Sequence, residues 1–370
     1  MEKQLNRIYG LDVLRALAIS LVVVSHTTYL LFPISDSTLV IGVRVMGAIG
    51  VDLFFVLSGF LIGRILLKQL ENKKTALSDL MVFWKRRWLR TLPNYMVVLI
   101  INILIFLLLN KSLVGELKLY PLFLQNLTTA HPDFFTEAWS LSVEEYAYLV
   151  LPMVLYLALL FFKKKNSVKL FLWITIAFIV FGVFLKINFY YTVKIHSYKE
   201  WSDLFRKVVI YRLDAIYIGF LLIYIYREYS DTCKKYRKTL GVIGGVVFLA
   251  LHVSIAVFNM QPQIYLAFYV FVYLQLLVIS LGMFFPYFLE LKQQIILLKK
   301  VVEYISTRSY AIYLTNYSIV LLSIQRITAI EINSIGKLLL FFGLTILLSE
   351  LIYRFVELPV LQYRDKKYKR

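Results

Sequence analysis

The sequence predicts an all-α fold, a polytopic membrane helical bundle of about ten transmembrane helices. Of its 370 residues, 60% are hydrophobic and only 17% are charged, whereas a soluble domain is nearer half apolar and a quarter charged. The apolar runs recur along the whole chain, so residues 1–370 are expected to form a single integral-membrane domain. No soluble catalytic appendage is indicated.

Each apolar run is close to the ~20 residues that an α-helix needs to cross a bilayer. The first run is long enough to span and lacks a small-residue cleavage site, so we expect no cleavable signal sequence. The predicted spans cover approximately residues 10–32, 45–67, 93–110, 146–162, 168–187, 209–226, 240–258, 264–285, 309–325 and 337–353. An even number of crossings places both termini on the same side of the membrane.

The distribution of basic residues predicts which side that is. The loops on the terminal side of these spans contain 28 Lys and Arg, and the opposite loops contain nine. Because cytoplasmic loops carry the excess of Lys and Arg, both termini are predicted to be cytoplasmic. The net charge of +19 is then mainly a topology signal. Its division among short loops beside the membrane argues against nucleic-acid binding.

The cysteine and histidine content excludes two classes of site. Cys233 is the only cysteine, so neither an intramolecular disulfide nor a cysteine-cluster metal site can form. The four histidines are scattered and form no HExxH pattern, so no metal site is predicted. The chain also has no glycine-rich loop of the kind that cradles phosphates. Polar residues within the apolar runs therefore carry the functional argument.

Arg15 and His26 both lie in the first apolar run, GLDVLRALAISLVVVSH. Eleven residues are about three helical turns, which places both side chains on one face about 16 Å apart. Asp12 can touch Arg15 from the preceding turn, either as an interfacial ion pair or to orient Arg15 toward an anionic ligand. His26 would serve as an interhelical hydrogen-bond partner or as a base for proton transfer.

The second span and the segment after it contain further candidates. Asp52, near the external end of GVDLFFVLSGFLIGR, would be a helix cap or the partner of a buried cation, and the glycines of this span are expected to allow close helix packing. The cytoplasmic segment FWKRRWLRTLP precedes the third span. Arg87 and Arg90 lie three residues apart within it and suit either membrane anchoring or the binding of a diphosphate.

The long external loop 111–145 ends in AWSLSVEEYAYLVLP. Ser142 followed by Glu145 resembles a capping box that opens the fourth span, which leaves Glu144 either solvated or facing inward. Arg212 and Asp214, at the external start of the sixth span, are expected to pair with each other or with Glu144.

Taken together, these motifs resemble the integral-membrane acyltransferase family 3, whose members move acyl groups onto surface carbohydrates and other acceptors. The resemblance runs nearly from end to end. It rests on the R-x10-H pair, GVDLFFVLSGFLI, the Arg87-x-x-Arg90 pair, FLQN, WSLSVEEYAYLVLP, RLDAIYIG, SYAIYLTNYSI and the closing YRFVELP. Each motif alone is weak, but their order and spacing make the match specific.

The resemblance implies an O-acetyltransferase-type enzyme in the bacterial cytoplasmic membrane. Arg15 and His26 match the pair regarded as essential, with His26 as the acyl-transfer base or transient acyl carrier. Arg87 and Arg90 match an arginine pair linked to handling of an acyl-coenzyme A donor, with Arg15 nearby. Glu144 matches the glutamate of the WSLSVE stretch and is expected to orient the imidazole. The implied acceptor is a carbohydrate or lipid-linked glycan, and no metal is implied.

Two departures from the family pattern affect these expectations. Many relatives have a histidine where this chain has Asn316, so any role of that second histidine is expected to be absent. Relatives that pass the acyl group to a fused SGNH-type hydrolase have a long C-terminal extension. This sequence ends at Arg370, which favours direct transfer or an unlinked partner. The alternative functions are a transporter or flippase for a lipid-linked or anionic glycan, and a non-catalytic scaffold.

Overall fold

The computed structural model describes residues 7–109, 115–161, 166–292, 295–327 and 332–368. Within these ranges all regular secondary structure is helical, and nine helices are long and apolar enough to cross a membrane. The predicted all-α membrane bundle is therefore confirmed.

The nine candidate spans follow one another along the chain. They are α1 (Tyr9–Leu31), α2 (Thr38–Glu71), α3 (Leu77–Leu108), α4 (Ala138–Phe161), α5 (Ser167–Thr192), Val209–Glu228, Arg237–Val257, Leu266–Leu289 and Ser334–Lys367. Several of them combine shorter helices, and other short helices connect them. The remaining helices are α6 (Tyr198–Trp201), α7 (Leu213–Glu228), α8 (Ser230–Lys235), α9 (Arg237–Val257), α10 (Leu266–Phe268), α11 (Leu274–Gly282), α12 (Phe285–Leu289), α13 (Ile296–Thr315), α14 (Leu322–Ile327), α15 (Ser334–Ile352) and α16 (Leu358–Lys367).

The predicted ninth span, 309–325, is helical but does not count among these nine. It runs from α13 through the π-helical turn Asn316–Leu321 into α14. Polar residues such as Asn316 and Gln325 lower its hydropathy. This helix is packed against α1, where polar side chains find protein partners instead of lipid.

The predicted cytoplasmic loop 68–92 is largely helical. The connection between α2 and α3 is only 72–76, because α3 begins at Leu77 and runs through the predicted loop 68–92. The Asp79 carboxylate accepts a hydrogen bond from the Ala76 N–H at 3.0 Å, which satisfies a free donor at this helix start. Arg87 and Arg90 are therefore helical residues, as their predicted common face requires.

The predicted capping box before the fourth span is wrong. Helix α4 begins at Ala138, so Ser142 and Glu145 lie inside it and not at its start. The Ser142 hydroxyl donates to the carbonyl oxygen of Ala138 at 3.2 Å and accepts from the Gln125 amide at 2.8 Å. The WSLSVEEY stretch is thus the first two turns of a span, and Glu144 is carried by a rigid helix.

Helix α2 lies at the centre of the bundle and packs against α1 and α7. Its backbone approaches α7 most closely at Gly59 and Gly219. A Cβ atom on Gly219 would lie 2.5 Å from the carbonyl oxygen of Val56, and one on Gly59 would overlap the carbonyl oxygen of Ile216. The prediction that the glycines of the second span allow close packing is confirmed at Gly59, and the crossing fixes the position of Ser58.

Substituting Gly59 tests this crossing. Gly59→Ala is expected to lower the free energy of unfolding by about 1–3 kcal/mol, because the new methyl group forces two backbones apart. The matched control is Gly42→Ala on the same helix, where a Cβ meets nothing within 4 Å. Thermal unfolding in detergent compares the two variants, and equal stability of both would contradict the proposed contact.

Candidate functional site

A cavity of about 770 Å³ lies between α1, α2, α3, α4 and α13. Its apolar lining comes mainly from α2, including Phe54, Leu61 and Ile65. Its charged lining consists of five cations and one carboxylate: Arg15, Arg64, Lys68, Arg87, Arg90 and Glu144. Four of the residues singled out from the sequence, Arg15, Arg87, Arg90 and Glu144, therefore face one space.

The Glu144 carboxylate joins three helices beside this cavity. It accepts from Arg87 Nη2 of α3 at 3.0 Å and from the Ser58 hydroxyl of α2 at 3.1 Å. The Arg87 guanidinium also lies over the ring of Tyr148, 4.4 Å from its centroid. Glu144 thus fixes Arg87 as a cavity-lining cation.

The predicted pairing of Asp12 and Arg15 is present. Arg15 Nη1 lies 3.3 Å from Asp12 Oδ1 and 3.1 Å from the Ser306 hydroxyl, which itself donates to Asp12 at 2.6 Å. Asp12 also accepts from Arg7. Because Asp12 divides its charge between two arginines and a hydroxyl, Arg15 retains N–H groups for a ligand in the cavity.

At the other end of the cavity, the cationic side chains of the lining remain exposed to solvent. Arg64 and Lys68 are exposed and lie four residues apart on α2, while Arg90 is exposed on α3. All three line the cavity. This end can therefore attract an anionic group from water before any part of it is buried.

His26 of α1 does not line the cavity. It lies beyond the deep end of the cavity, at the level of the helical turn that follows α13. The deep end of the cavity includes Tyr313, whose hydroxyl is 2.6 Å from that of Ser140. The next turn carries Asn316, whose side-chain carbonyl oxygen is hydrogen-bonded to Nδ1 of His26. Arg15 and His26 thus lie on one helix, but only Arg15 reaches this space.

The Asn316 amide determines which ring nitrogen of the neutral His26 imidazole carries the proton. Its Nδ2 donates to the carbonyl oxygens of Ile312 and Tyr313, at 2.7 and 2.9 Å. The oxygen that faces His26 can only accept, so Nδ1 carries the proton and Nε2 keeps its lone pair. The ring packs against Tyr317, with centroids 4.7 Å apart. Sequence reasoning treated Asn316 as a lost function and missed this contact.

Glu144 does not orient the imidazole as expected. Its carboxylate contacts Arg87 and Ser58, whereas His26 contacts Asn316. The candidate catalytic and donor-binding residues therefore form two groups, one around the cavity and one around the imidazole. Tyr313 connects them, because it lines the cavity and accepts from Asn316 through its backbone.

A buried carboxyl that the sequence analysis missed holds the π-helical turn in place. Glu137, in the loop before α4, accepts from the backbone N–H of Ser318 at 3.2 Å and from its hydroxyl. The Thr136 N–H donates to the same hydroxyl at 3.1 Å. Burial raises the pKa of Glu137 to about 7, and the hydrogen bonds from Ser318 oppose that rise. Single π-helical turns occur frequently at functional sites.

The supporting residues Asp52, Arg212 and Asp214 belong to a separate buried network. Arg212 pairs with Asp52 of α2, while Asp214 pairs with Lys186 of α5. The predicted pairing of Arg212 with Asp214 or Glu144 is therefore wrong, because each finds an opposite charge on a neighbouring helix. Of the two alternatives for Asp52, a helix cap or the partner of a buried cation, the structure shows the second. None of these three residues lines the 770 Å³ cavity.

The comparison with known protein families covers the same residues. The model of acyltransferase family 3, described as an acyltransferase domain, matches residues 8–354. The chain belongs to this acyltransferase family. The matched range contains Arg15, His26, Arg87, Arg90 and Glu144, so the resemblance noted in the sequence is confirmed.

Two curated relatives of this acyltransferase chain are proteins of Staphylococcus aureus. The chain is 27% identical to the O-acetyltransferase OatA of strain NCTC 8325 / PS 47, over 392 aligned positions that cover 97% of this chain. The protein of the same name from strain COL has the same identity and coverage. The chain spans 59% of the length of these relatives. No solved structure matches.

Proposed function

We propose that this chain is a membrane O-acyltransferase that moves an acyl group, expected to be acetyl, from acyl-coenzyme A to a hydroxyl of a carbohydrate or cell-envelope acceptor. The observation that carries the proposal is a cavity lined by five cations, one carboxylate and the apolar side chains of α2, which reaches Tyr313, three residues before the His26 partner Asn316. The relatives' name, O-acetyltransferase, supports oxygen as the acceptor atom and acetyl as the group.

The charge and length of the cavity suit the donor. Phosphate oxygens bind arginine through charge-assisted, often bidentate hydrogen bonds, and Arg15, Arg87 and Arg90 face the same space. The α2 stretch from Val51 to Lys68 lines the cavity and is about 25 Å long at 1.5 Å per residue. The diphosphate of coenzyme A would bind near the arginines, with the thin pantetheine arm extending toward Tyr313.

The excess of Lys and Arg in the loops on the terminal side supports a cytoplasmic location for both termini. The cation-lined end of the cavity includes Lys68, near the end of α2, which precedes one of these basic segments. The donor would then enter from the cytoplasm. His26 lies eleven residues beyond Arg15 on α1, toward the external side, where an acceptor in the cell envelope would enter.

His26 would act as the base through Nε2. It removes the proton of the acceptor hydroxyl while the oxygen attacks the thioester carbonyl carbon. A carbon–oxygen bond forms, the carbon–sulfur bond breaks, and the thiolate of coenzyme A leaves with the proton returned from Nε2. Asn316 would hold Nδ1–H so that the lone pair stays on the reacting nitrogen, the task of the third member in Cys-His-Asn arrangements.

Replacing His26 tests its chemical role. His26→Ala is expected to lower kcat for acyl transfer by about 100-fold or more, with acetyl-coenzyme A binding unchanged because His26 lies outside the cavity lining. The matched control, His252→Ala, removes a half-buried histidine whose Nδ1 contacts the Phe248 carbonyl oxygen.

Thiol release measured with and without acceptor separates the two roles of His26. A base releases coenzyme A only when acceptor is present, whereas an acyl carrier gives a burst of one equivalent without it. Unchanged turnover of His26→Ala would contradict both. Glycan movement that needs no coenzyme A would instead favour the transporter.

Replacing Asn316 tests the orientation of the imidazole. Asn316→Ala is expected to lower kcat by about tenfold or more, because Nδ1 loses its acceptor and the proton is no longer confined to it. Donor affinity and thermal stability of the folded protein should change little. The control is Asn102→Ala, which removes another buried amide that bonds to its own helix, at the Val98 carbonyl oxygen. A matching loss of activity in both variants would argue for a structural effect alone.

Arg90 tests the donor site. Arg90→Ala is expected to raise the Kd for acetyl-coenzyme A by about tenfold, since one charge-assisted contact to phosphate is lost. At saturating donor, kcat should stay near the wild-type value. Lys85→Ala removes an exposed cation of the same helix that does not line this cavity. Equal Kd values for both variants in calorimetric titration would count against the donor site.

A further inference from the structure

A second cavity, of about 480 Å³, adjoins the first. The two share part of their lining on α2 and α3, namely Ile62, Ile65, Lys68, Arg87 and Arg90. The second cavity extends away from Glu144 and His26, past the end of α2. Its other lining residues are Gln69, Asn72, Lys74, Val82, Phe83, Arg86 and Arg364. A ligand in the first cavity could therefore continue into the second.

The lining of the second cavity is cationic. Lys68, Lys74, Arg86, Arg87, Arg90 and Arg364 contribute to it, and no carboxylate does so among the lining residues. Outside the lining, Asp365 pairs with Arg86 at 3.1 Å and with Arg364 at 2.8 Å. Glu144, the partner of Arg87, is a second carboxylate outside this lining, and the two carboxylates together leave an excess of positive charge among the six cations. The charge of this space therefore favours an anionic ligand.

The wall that carries Arg364 comes from α16, which lies beyond the residues matched by the family model, 8–354. The ion pair of Arg86 with Asp365 holds α16 against α3. Arg364 is mostly buried, with its side chain 13% exposed, whereas its neighbour Lys366 is exposed. The last helix of the described chain thus contributes an oriented arginine to the cavity.

We propose that the second cavity binds the nucleotide end of the donor, with Arg364 and Lys74 contacting the 3′-phosphate of coenzyme A. This inference rests on the proposed function. Coenzyme A carries its diphosphate between the pantetheine arm and the adenosine, and a third phosphate on the ribose. The shared residues Arg87 and Arg90 are placed for the diphosphate, and Val82 and Phe83 offer an apolar surface to the adenine ring.

The test compares acetyl-coenzyme A with its 3′-dephospho analogue by calorimetric titration of the full chain in nanodiscs. The wild-type protein is expected to bind acetyl-coenzyme A about tenfold more tightly. Arg364→Ala should bring the two affinities to within about twofold, chiefly by weakening acetyl-coenzyme A binding. Lys366→Ala, which removes the same charge from the exposed face of α16, should keep the full preference.

Two further variants keep the result interpretable if Arg364→Ala unfolds α16. Arg364→Lys retains the charge and should keep most of the preference. Lys74 lies on the connection between α2 and α3, so Lys74→Ala should reduce the preference for acetyl-coenzyme A over the 3′-dephospho analogue without altering α16.

The possible outcomes separate this inference from the proposed function. Equal wild-type affinity for the two ligands, or an Arg364→Ala effect of the same size on both, would overturn the 3′-phosphate site and leave the donor cavity standing. No binding of either ligand to folded protein would overturn both proposals.

Discussion

The ion pair between Arg87 and Glu144 is the interaction on which the cavity depends. One carboxylate on α4 holds a guanidinium of α3 and a hydroxyl of α2, so it fixes three helices around the same space. It also moderates the repulsion between Arg87 and the nearby Arg15 and Arg90. Because it is the one carboxylate among five cations in that lining, a large positive excess remains. The packing of the helices and the positive charge of the cavity therefore have the same origin.

The residues around the His26 imidazole hold it in place without adding a charge beside it. An ionised side chain within a membrane is costly, and a carboxylate beside His26 would add one. The neutral Asn316 amide instead fixes the imidazole tautomer through two backbone carbonyl oxygens of its own helix. The π-helical turn that begins at this residue is tied to the loop before α4 by Glu137 and Ser318. The imidazole is thus set by hydrogen bonds between elements that are far apart in the chain.

The sequence predicted the fold because hydropathy is a property of each segment alone. It also singled out Arg15, His26 and Glu144, whose ionisable side chains within or beside apolar runs are visible without a structure. Helix ends were less predictable: WSLSVEEY resembles a loop by polarity, although its polar side chains face protein within α4. Pairings were least predictable. Arg212 lies two residues from Asp214 in sequence but binds Asp52, 160 residues away, and Glu137 binds Ser318, 181 residues away. No local pattern encodes such contacts.

The length of α2 has a consequence for desolvation. With 34 residues it is about 51 Å long, whereas the hydrocarbon layer is only about 30 Å thick. Several of its turns must therefore lie beyond the hydrocarbon or run obliquely through it. Lys68 lies in the last turn, so it is expected in the part that reaches the headgroup region, and Val51, near the middle of the helix, in the part within the bilayer. A charged ligand bound at Lys68 would keep much of its hydration while only its neutral portion enters the membrane. A helix of this length would thus allow the phosphates of the proposed donor to stay outside the hydrocarbon layer.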